Sequence, residues 1–222
     1  MKERLKNSKD SVSPVVSVDP SSPSPVDIGR AADILNKKGV VAFPTTGLYG
    51  LGADARCADA VRRVFAIKRR PALKPVLVLL SGIDELETLV QTIPAYAQPF
   101  LGLWPGGITL IFECRDAVVP ELTGGTGKIG VRFPAHPVAK ALVARFKGPI
   151  TGTSANLAGM PAVNRVADLD EEIRSRVDLV LDAGPLAGGA GSTVLDVSAW
   201  PVKLLREGAV PRSVINGILK HA

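Results

Sequence analysis

The sequence predicts one α/β domain built on a mixed sheet, and three observations carry that reading. Short β-branched runs such as VVAF, ITLIF and DLVLD alternate with segments whose apolar residues recur at helical spacing. A length of 222 residues with 46% apolar content is enough for one substantial core. No internal repeat of fixed period is visible, and the proline-rich joints PAHP and WPGG read as turns within one fold.

The first 25 residues are rich in serine, proline and charge and show no period to bury. A flexible tail over 1–25 is expected, with the folded domain over 26–222. Asp10 and Asp19, with little arginine nearby, argue against a transit peptide. IGRAADILNKKG then predicts a helix closed by a C-cap at Gly39, and VVAF a buried strand over 40–43. ADAVRRVFAIK places Val61, Val64, Phe65 and Lys68 at helical spacing, so a helix ends where the stretch KRRPALKP begins. VLVLL is the next strand. In DELETLV, Asp84 and Glu87 stand at capping-box spacing and open another helix. ITLIFEC, KIGVRF, PITGTS, DLVLD, STVLDVS and VKLLR are further strands, with helices near 137–146, 168–176 and 211–219.

Net charge is +6 and the pI about 9.5, which favours an anionic partner: a nucleotide, tRNA or a phosphorylated metabolite. The surplus is local. Between Asp59 and Asp84 there is no carboxylate, while Arg62, Arg63, Lys68, Arg69, Arg70 and Lys74 all fall there. Only Cys57 and Cys114 occur, far apart, so neither a disulfide framework nor a zinc site is suggested and a reducing cytosol is the default. No apolar stretch approaches the ~18 residues of a membrane span, and no signal core opens the chain. A soluble, cytoplasmic protein is expected.

Three motifs invite chemistry. GGTGKIG satisfies G-x-G-x-x-G, yet the β-like KIGVRF follows where a dinucleotide fold needs a helix; a Walker loop would need glycine at Leu122 and Ser or Thr at Ile129. It reads as a glycine turn whose Lys128 can face an anion. Ser154 in GTSAN lacks a nucleophile elbow, and His136 and His221 offer little for a triad. Ser154 and Asn156 either present a hydroxyl and an amide at a strand's C-terminal end or form a turn held by Asn156. In KRRPALKP, Pro71 keeps Arg70 out of helical geometry and Pro75 restricts Lys74. Cations anchored in this way lose less entropy on binding a polyanion than those of a solvated loop.

Taken together and in order, VVAFPTTGLYGLGADA, IKRRPALKPVLVLL, WPGGITLIF, IGVRFPAHPVA, GTSANLAG, STVLDVS and LLREG resemble the YrdC-like family, whose best known members are threonylcarbamoyl-adenylate synthases. The resemblance spans roughly residues 27 to 218. It implies a twisted open α/β sheet with a basic concave face, and the formation of L-threonylcarbamoyl-AMP and pyrophosphate from L-threonine, bicarbonate and ATP, for later modification of tRNA. It implies that Lys68, Arg70 and Lys74 hold phosphates, with Lys68 and Arg70 closest to the chemistry. Lys128, Ser154, Asn156 and Arg206 would also contact ATP. Arg132 would grip the threonine carboxylate, and Thr45, Thr46 and Ser192 would complete the amino-acid pocket. Magnesium is expected with the triphosphate, and no metal-ligand cluster is encoded. tRNA and tRNA-modification proteins are the further partners implied.

The chain departs from the family pattern at four places. Gly47 stands where a pocket threonine is usual, Arg69 where a glycine separates the lysine and arginine, Leu79 where some members have histidine, and Lys128 where threonine is common. Two other readings compete. An RNA-binding module would use the same basic surface without catalysis, although 5% aromatic content offers little for stacking. A paralogue of the same fold would act on another carbamoyl or acyl donor.

Overall fold

PITGTS does not form one strand: Gly152 divides it between two sheets, and the fold is organised about that seam. The computed structural model describes residues 13–220. In chain order it contains β1 (Val15–Ser17), α1 (Pro25–Asn36), β2 (Val41–Pro44), β3 (Tyr49–Gly52), α2 (Ala58–Lys68), β4 (Val78–Leu79), α3 (Ile83–Leu89), α4 (Gln98–Leu101) and β5 (Ile108–Glu113). There follow α5 (Pro120–Thr123), β6 (Lys128–Arg132), α6 (Pro137–Phe146), β7 (Ile150–Thr151), β8 (Thr153–Ser154), α7 (Glu171–Arg176), β9 (Leu179–Asp182), β10 (Thr193–Asp196), β11 (Lys203–Arg206) and α8 (Arg212–Leu219).

The first sheet runs β1-β9-β2-β3-β8 and the second β11-β10-β5-β6-β4-β7, each mixing parallel and antiparallel pairs. β7 pairs with β4 in the second sheet and β8 with β3 in the first. The Gly152 N–H donates to the Leu77 carbonyl at 2.9 Å, and the Thr151 N–H to that of Ala53 at 2.9 Å, so the two sheets stay joined across the turn.

Side-chain alternation explains the layers. Val41, Phe43, Leu179 and Leu181 of the first sheet pack into the cluster that holds Ala31, Leu35, Leu142 and Val143 of α1 and α6. Ala42, Tyr49, Leu51 and Val180 point the other way, to Val64, Ile67 and Ile173 of α2 and α7. The second sheet buries Ile108, Leu110, Phe112, Ile129, Val131 and Leu195 in the largest cluster. Its opposite face carries Thr109, Ile111, Gly130, Arg132 and Val194, which line a cleft.

The α/β class and the order of elements agree with the sequence, and besides the division of PITGTS and of the sheet there are four corrections. The supposed tail over 1–25 contains an edge strand, because Val15–Ser17 pair in parallel with β9 and Val18 is buried in the core. Residues 1–12, and 221–222, lie outside the described residues. The left-handed residue after α1 is Lys38 (φ 63°), and Gly39 is needed instead for its contact with Ile34. Asp84 and Glu87 form no capping box: α3 starts after Gly82 without a side-chain cap, and Glu85 of its first turn reaches back to accept from the Ser81 N–H and hydroxyl at 3.0 and 2.7 Å. VLVLL pairs regularly only at Val78–Leu79, since Val76 and Leu80 reach out by single bonds to Leu122 and Arg132. Among the described residues no helix is long and apolar enough to cross a membrane.

Val18→Ala tests whether the N-terminal segment belongs to the fold. Loss of a buried side chain should cost about 1–2 kcal/mol, read as a lower urea midpoint at unchanged slope. An unaltered midpoint would mean that β1 contributes nothing to the folded unit.

Candidate active site

A cleft of about 450 Å³ opens at the seam between the sheets. Its floor is the free face of the second sheet, and Thr45, Leu48, Tyr49, Gly50, Thr153 and Ser154 of the first sheet form the opposite wall. Arg70 enters it from the loop after α2, Arg132 from β6 and Arg206 from β11.

Arg132 is aimed by its neighbours: Nε donates to the Gly106 carbonyl at 2.7 Å and Nη2 to the Thr46 hydroxyl at 3.2 Å. Arg206 donates from Nε and Nη2 to the Ser192 carbonyl at 3.1 and 2.7 Å. Burial, with the like charge of Arg206, lowers the pKa of Arg132. The Ser192 hydroxyl lies 2.8 Å from that of Thr109, so a buried hydroxyl pair stands beside the two guanidiniums. Sequence reasoning missed Thr109. Its signal was available, since it is the polar residue of ITLIF that alternates away from Ile108 and Leu110.

Arg70 is fixed by carbonyls of its own loop, with Nε on Lys74 at 3.2 Å and Nη2 on Pro75 at 2.6 Å. Lys74 thus braces Arg70 through its backbone, while its side chain stays outside the cleft. Lys68 lies beneath the wall at 2% exposure. Its ammonium donates to the carbonyls of Ser154 and Asn156, the latter at 2.7 Å, and approaches Asn156 Oδ1 at 3.4 Å. Burial, and then the charge of Arg70, push its pKa down to about 8. Asn156 is fully engaged: Oδ1 accepts from the Ser154 hydroxyl, and Nδ2 donates to Leu157 and Met160 carbonyls at 2.9 and 2.6 Å. It shapes the loop that Lys68 supports.

The structure therefore brings together Thr45, Thr46, Arg70, Arg132, Ser154, Ser192 and Arg206, with Lys68 directly behind. It does not bring in Lys74, Asn156 or Lys128 by their side chains. Lys128 pairs with Asp196 at 3.1 Å instead. Among the described residues, no carboxylate pairs with Lys68, Arg70, Arg132 or Arg206, although most other arginines near them are paired. Three arginines without counter-charge, with the Lys68 ammonium buried behind them, make a strong site for a polyanion. Among the described residues no Asp or Glu lines the cleft, and no three His, Cys, Asp or Glu group closely enough to hold a metal ion.

Gly47 has a steric reason. Gly188 donates its N–H to the Gly47 carbonyl at 2.9 Å, and a Cβ on residue 47 would collide with the Gly188 carbonyl oxygen. The segment 183–191, which carries the chain from β9 to β10, is thereby strapped to the wall. Asn164 holds it at Leu186 in both directions, and the Tyr49 hydroxyl donates to Gly184 at 2.7 Å.

Comparison with known proteins gives three kinds of match. The family profile Sua5_yciO_yrdC, described as telomere recombination, matches residues 33–208. A "Threonylcarbamoyl-AMP synthase" of Bacillus subtilis is 37% identical over 194 residues, which is 86% of this chain and 56% of the relative. One of Xanthomonas campestris is 37% identical over 193 residues and is covered to 99%. The chain thus spans about half the length of the first relative and nearly all of the second. The crystal structure of Pyrococcus abyssi Sua5 complexed with L-threonine superposes with a TM-score of 0.88 at 33% identity, covering 92% of this chain and 60% of that one.

Two outcomes test this geometry. Gly47→Thr should lower stability by about 1–3 kcal/mol through overpacking against the strap, read by chemical denaturation; wild-type stability would show that the strap yields freely. Lys68 titrates at about 8 in the fold against an ordinary 10.5, so between those values the unfolded chain binds more protons and stability rises with pH. Relative to Lys68→Met, the wild type should gain stability as the pH is raised through that window, and a constant difference would contradict the burial of a charged ammonium.

Proposed function

We propose that this chain, which belongs to the Sua5/YciO/YrdC family, forms L-threonylcarbamoyl-AMP and pyrophosphate from L-threonine, bicarbonate and ATP. The observation that carries the reading is the cleft whose three arginines, backed by Lys68, lack counter-charge among the described residues and which holds a buried hydroxyl pair.

The chemistry asks for this environment. The threonine amine adds to carbon dioxide from bicarbonate and loses a proton, giving a carbamate. A carbamate oxygen attacks the α-phosphorus of ATP, the bond to the β-phosphate breaks, and pyrophosphate leaves with its electron pair. An anion thus meets an anion, and fixed cations lower the barrier by offsetting the repulsion and holding the reactants in line. Arg70 and Arg206 suit the phosphates. Lys68 stands behind Ser154 and adds positive charge to that wall. Arg132, with Thr46 beside it, presents a planar fork to the threonine carboxylate, and Thr45 and Ser192 flank it. Magnesium would come with the nucleotide's triphosphate, where it would offset phosphate charge, because among the described residues the cleft supplies no carboxylate to hold it.

The adenylate is then consumed by a separate transfer to adenosine in tRNA. Cys57 and Cys114 are free thiols, which accords with work in a reducing cytoplasm.

Pyrophosphate release should require threonine and bicarbonate together with ATP; release unchanged by omitting threonine rejects the synthase reading. Tight tRNA binding with a steep salt slope and no turnover would favour a binding module instead. Lys68→Ala should weaken ATP binding by about tenfold or more while retaining the fold, and unaltered affinity in calorimetry rejects the phosphate role. Arg132→Lys should raise the KM for threonine about tenfold with ATP affinity kept, because an ammonium cannot match both carboxylate oxygens.

A further inference from the structure

Arg69 stands in the chain between the buried Lys68 and the cleft residue Arg70 and does not itself line the cleft. It is the C-cap of α2 and lies in the left-handed region, at φ 50° and ψ 38°. A side chain there crowds the following carbonyl, so residues other than glycine, asparagine or aspartate seldom occupy it unaided. The turn it makes has a clear consequence. The Arg69 N–H bonds the Ala66 carbonyl at 3.3 Å, the Arg70 N–H that of Phe65 at 2.9 Å, and the Lys68 carbonyl accepts from Ala158 at 2.8 Å. The chain reverses there, Lys68 points under the 154–156 loop, and Arg70 turns into the cleft. A right-handed residue 69 would extend α2 and carry Arg70 away.

The Arg69 side chain is engaged by α7. Its guanidinium engages both oxygens of Glu172, Nη2 with Oε2 and Nε with Oε1, the latter at 3.1 Å. The same carboxylate accepts from Arg176 Nη1 at 3.0 Å, and that nitrogen also donates to the Ala66 carbonyl at 3.1 Å. The Glu172 N–H is itself held by Asp170 Oδ1 at 2.8 Å, so the backbone of this residue keeps its place when its side chain is changed. Glu172 is three-quarters buried although Arg69 is largely exposed, which favours a fixed two-point pair over a fluctuating surface one.

We propose that Glu172 is a positioning residue for nucleotide binding: by clasping Arg69 at both oxygens it holds the left-handed turn that seats Lys68 under the 154–156 loop and presents Arg70 to the phosphates. This rests on the ATP reading above. A glycine at 69 adopts the same turn without a partner. The clasp therefore makes up for what arginine lacks there.

The test is a cycle on the full chain, with ATP affinity by calorimetry and amide exchange at Arg70 and Ala158, in wild type, Glu172→Gln, Arg69→Gly, and the two combined. Glu172→Gln should weaken ATP binding about 3- to 10-fold and speed exchange at both amides, because the lost pair and the left-handed cost are of similar size. Arg69→Gly should stay within about twofold of wild type, and in the double variant should restore both affinity and protection. Arg176→Ala, which leaves the clasp intact, should change neither. Wild-type affinity in Glu172→Gln overturns the proposal. So does a loss that Arg69→Gly fails to rescue, which would put the effect in α7 as a whole. Wild-type protein that binds no ATP defeats the nucleotide reading, and with it the presentation of Arg70 to phosphates, while the exchange data alone then report whether Glu172 sets the turn.

Discussion

The Lys68 ammonium, withdrawn from water at the end of α2, is held by the carbonyls of Ser154 and Asn156, and the cleft is arranged around that junction. A buried cation needs its donors satisfied. The loop after β8 supplies the acceptors and is in turn shaped by Asn156, whose amide bonds Leu157 and Met160. Helix, loop and both sheets therefore agree on one geometry, because the loop continues the strand that passes from one sheet to the other at Gly152. The arginines build on this frame with hydrogen bonds to main-chain carbonyls and a hydroxyl, which orient them without neutralising them.

Much of the fold was legible. Helical spacing located α2 and α6 to the residue, and the β-branched runs located β2, β5, β9 and β10. What escaped was set by partners distant in sequence. Val15 and Val16 sit among prolines and serines, and only the exposed edge of β9 makes them a strand. PITGTS reads as one strand because nothing local says that its halves pair in different sheets. For the same reason the single mixed sheet expected from the alternation is two.

The site was legible in its residue types more than in their duties. Arg132, Arg206, Ser192 and Arg70 meet in one cleft, as the family resemblance implied, but Asn156 and Lys74 serve by bracing, and Lys128 is paired with Asp196. Charge counting alone cannot separate a cation that faces a ligand from one that faces a carboxylate. KRRPALKP holds all these cases: Lys68 buried, Arg69 paired, Arg70 in the cleft and Lys74 outside it. Gly47 reads from sequence as a missing side chain and in the structure as room for the strap.

The seam also bears on how the molecule comes to have a site at all. Lys68 meets Ser154, and Arg132 meets Thr46, each across 86 residues of chain, while the segment from β9 to β10 is bonded to Gly47 and Asn164. Such contacts close long loops and form late in folding. The second sheet alone would bring Arg132 and Arg206 together, but the opposite wall, with Thr46 and Ser154, comes only with the first. The complete site thus arises only with the finished topology, and a ligand that touches both walls selects for the native state over every partly folded one.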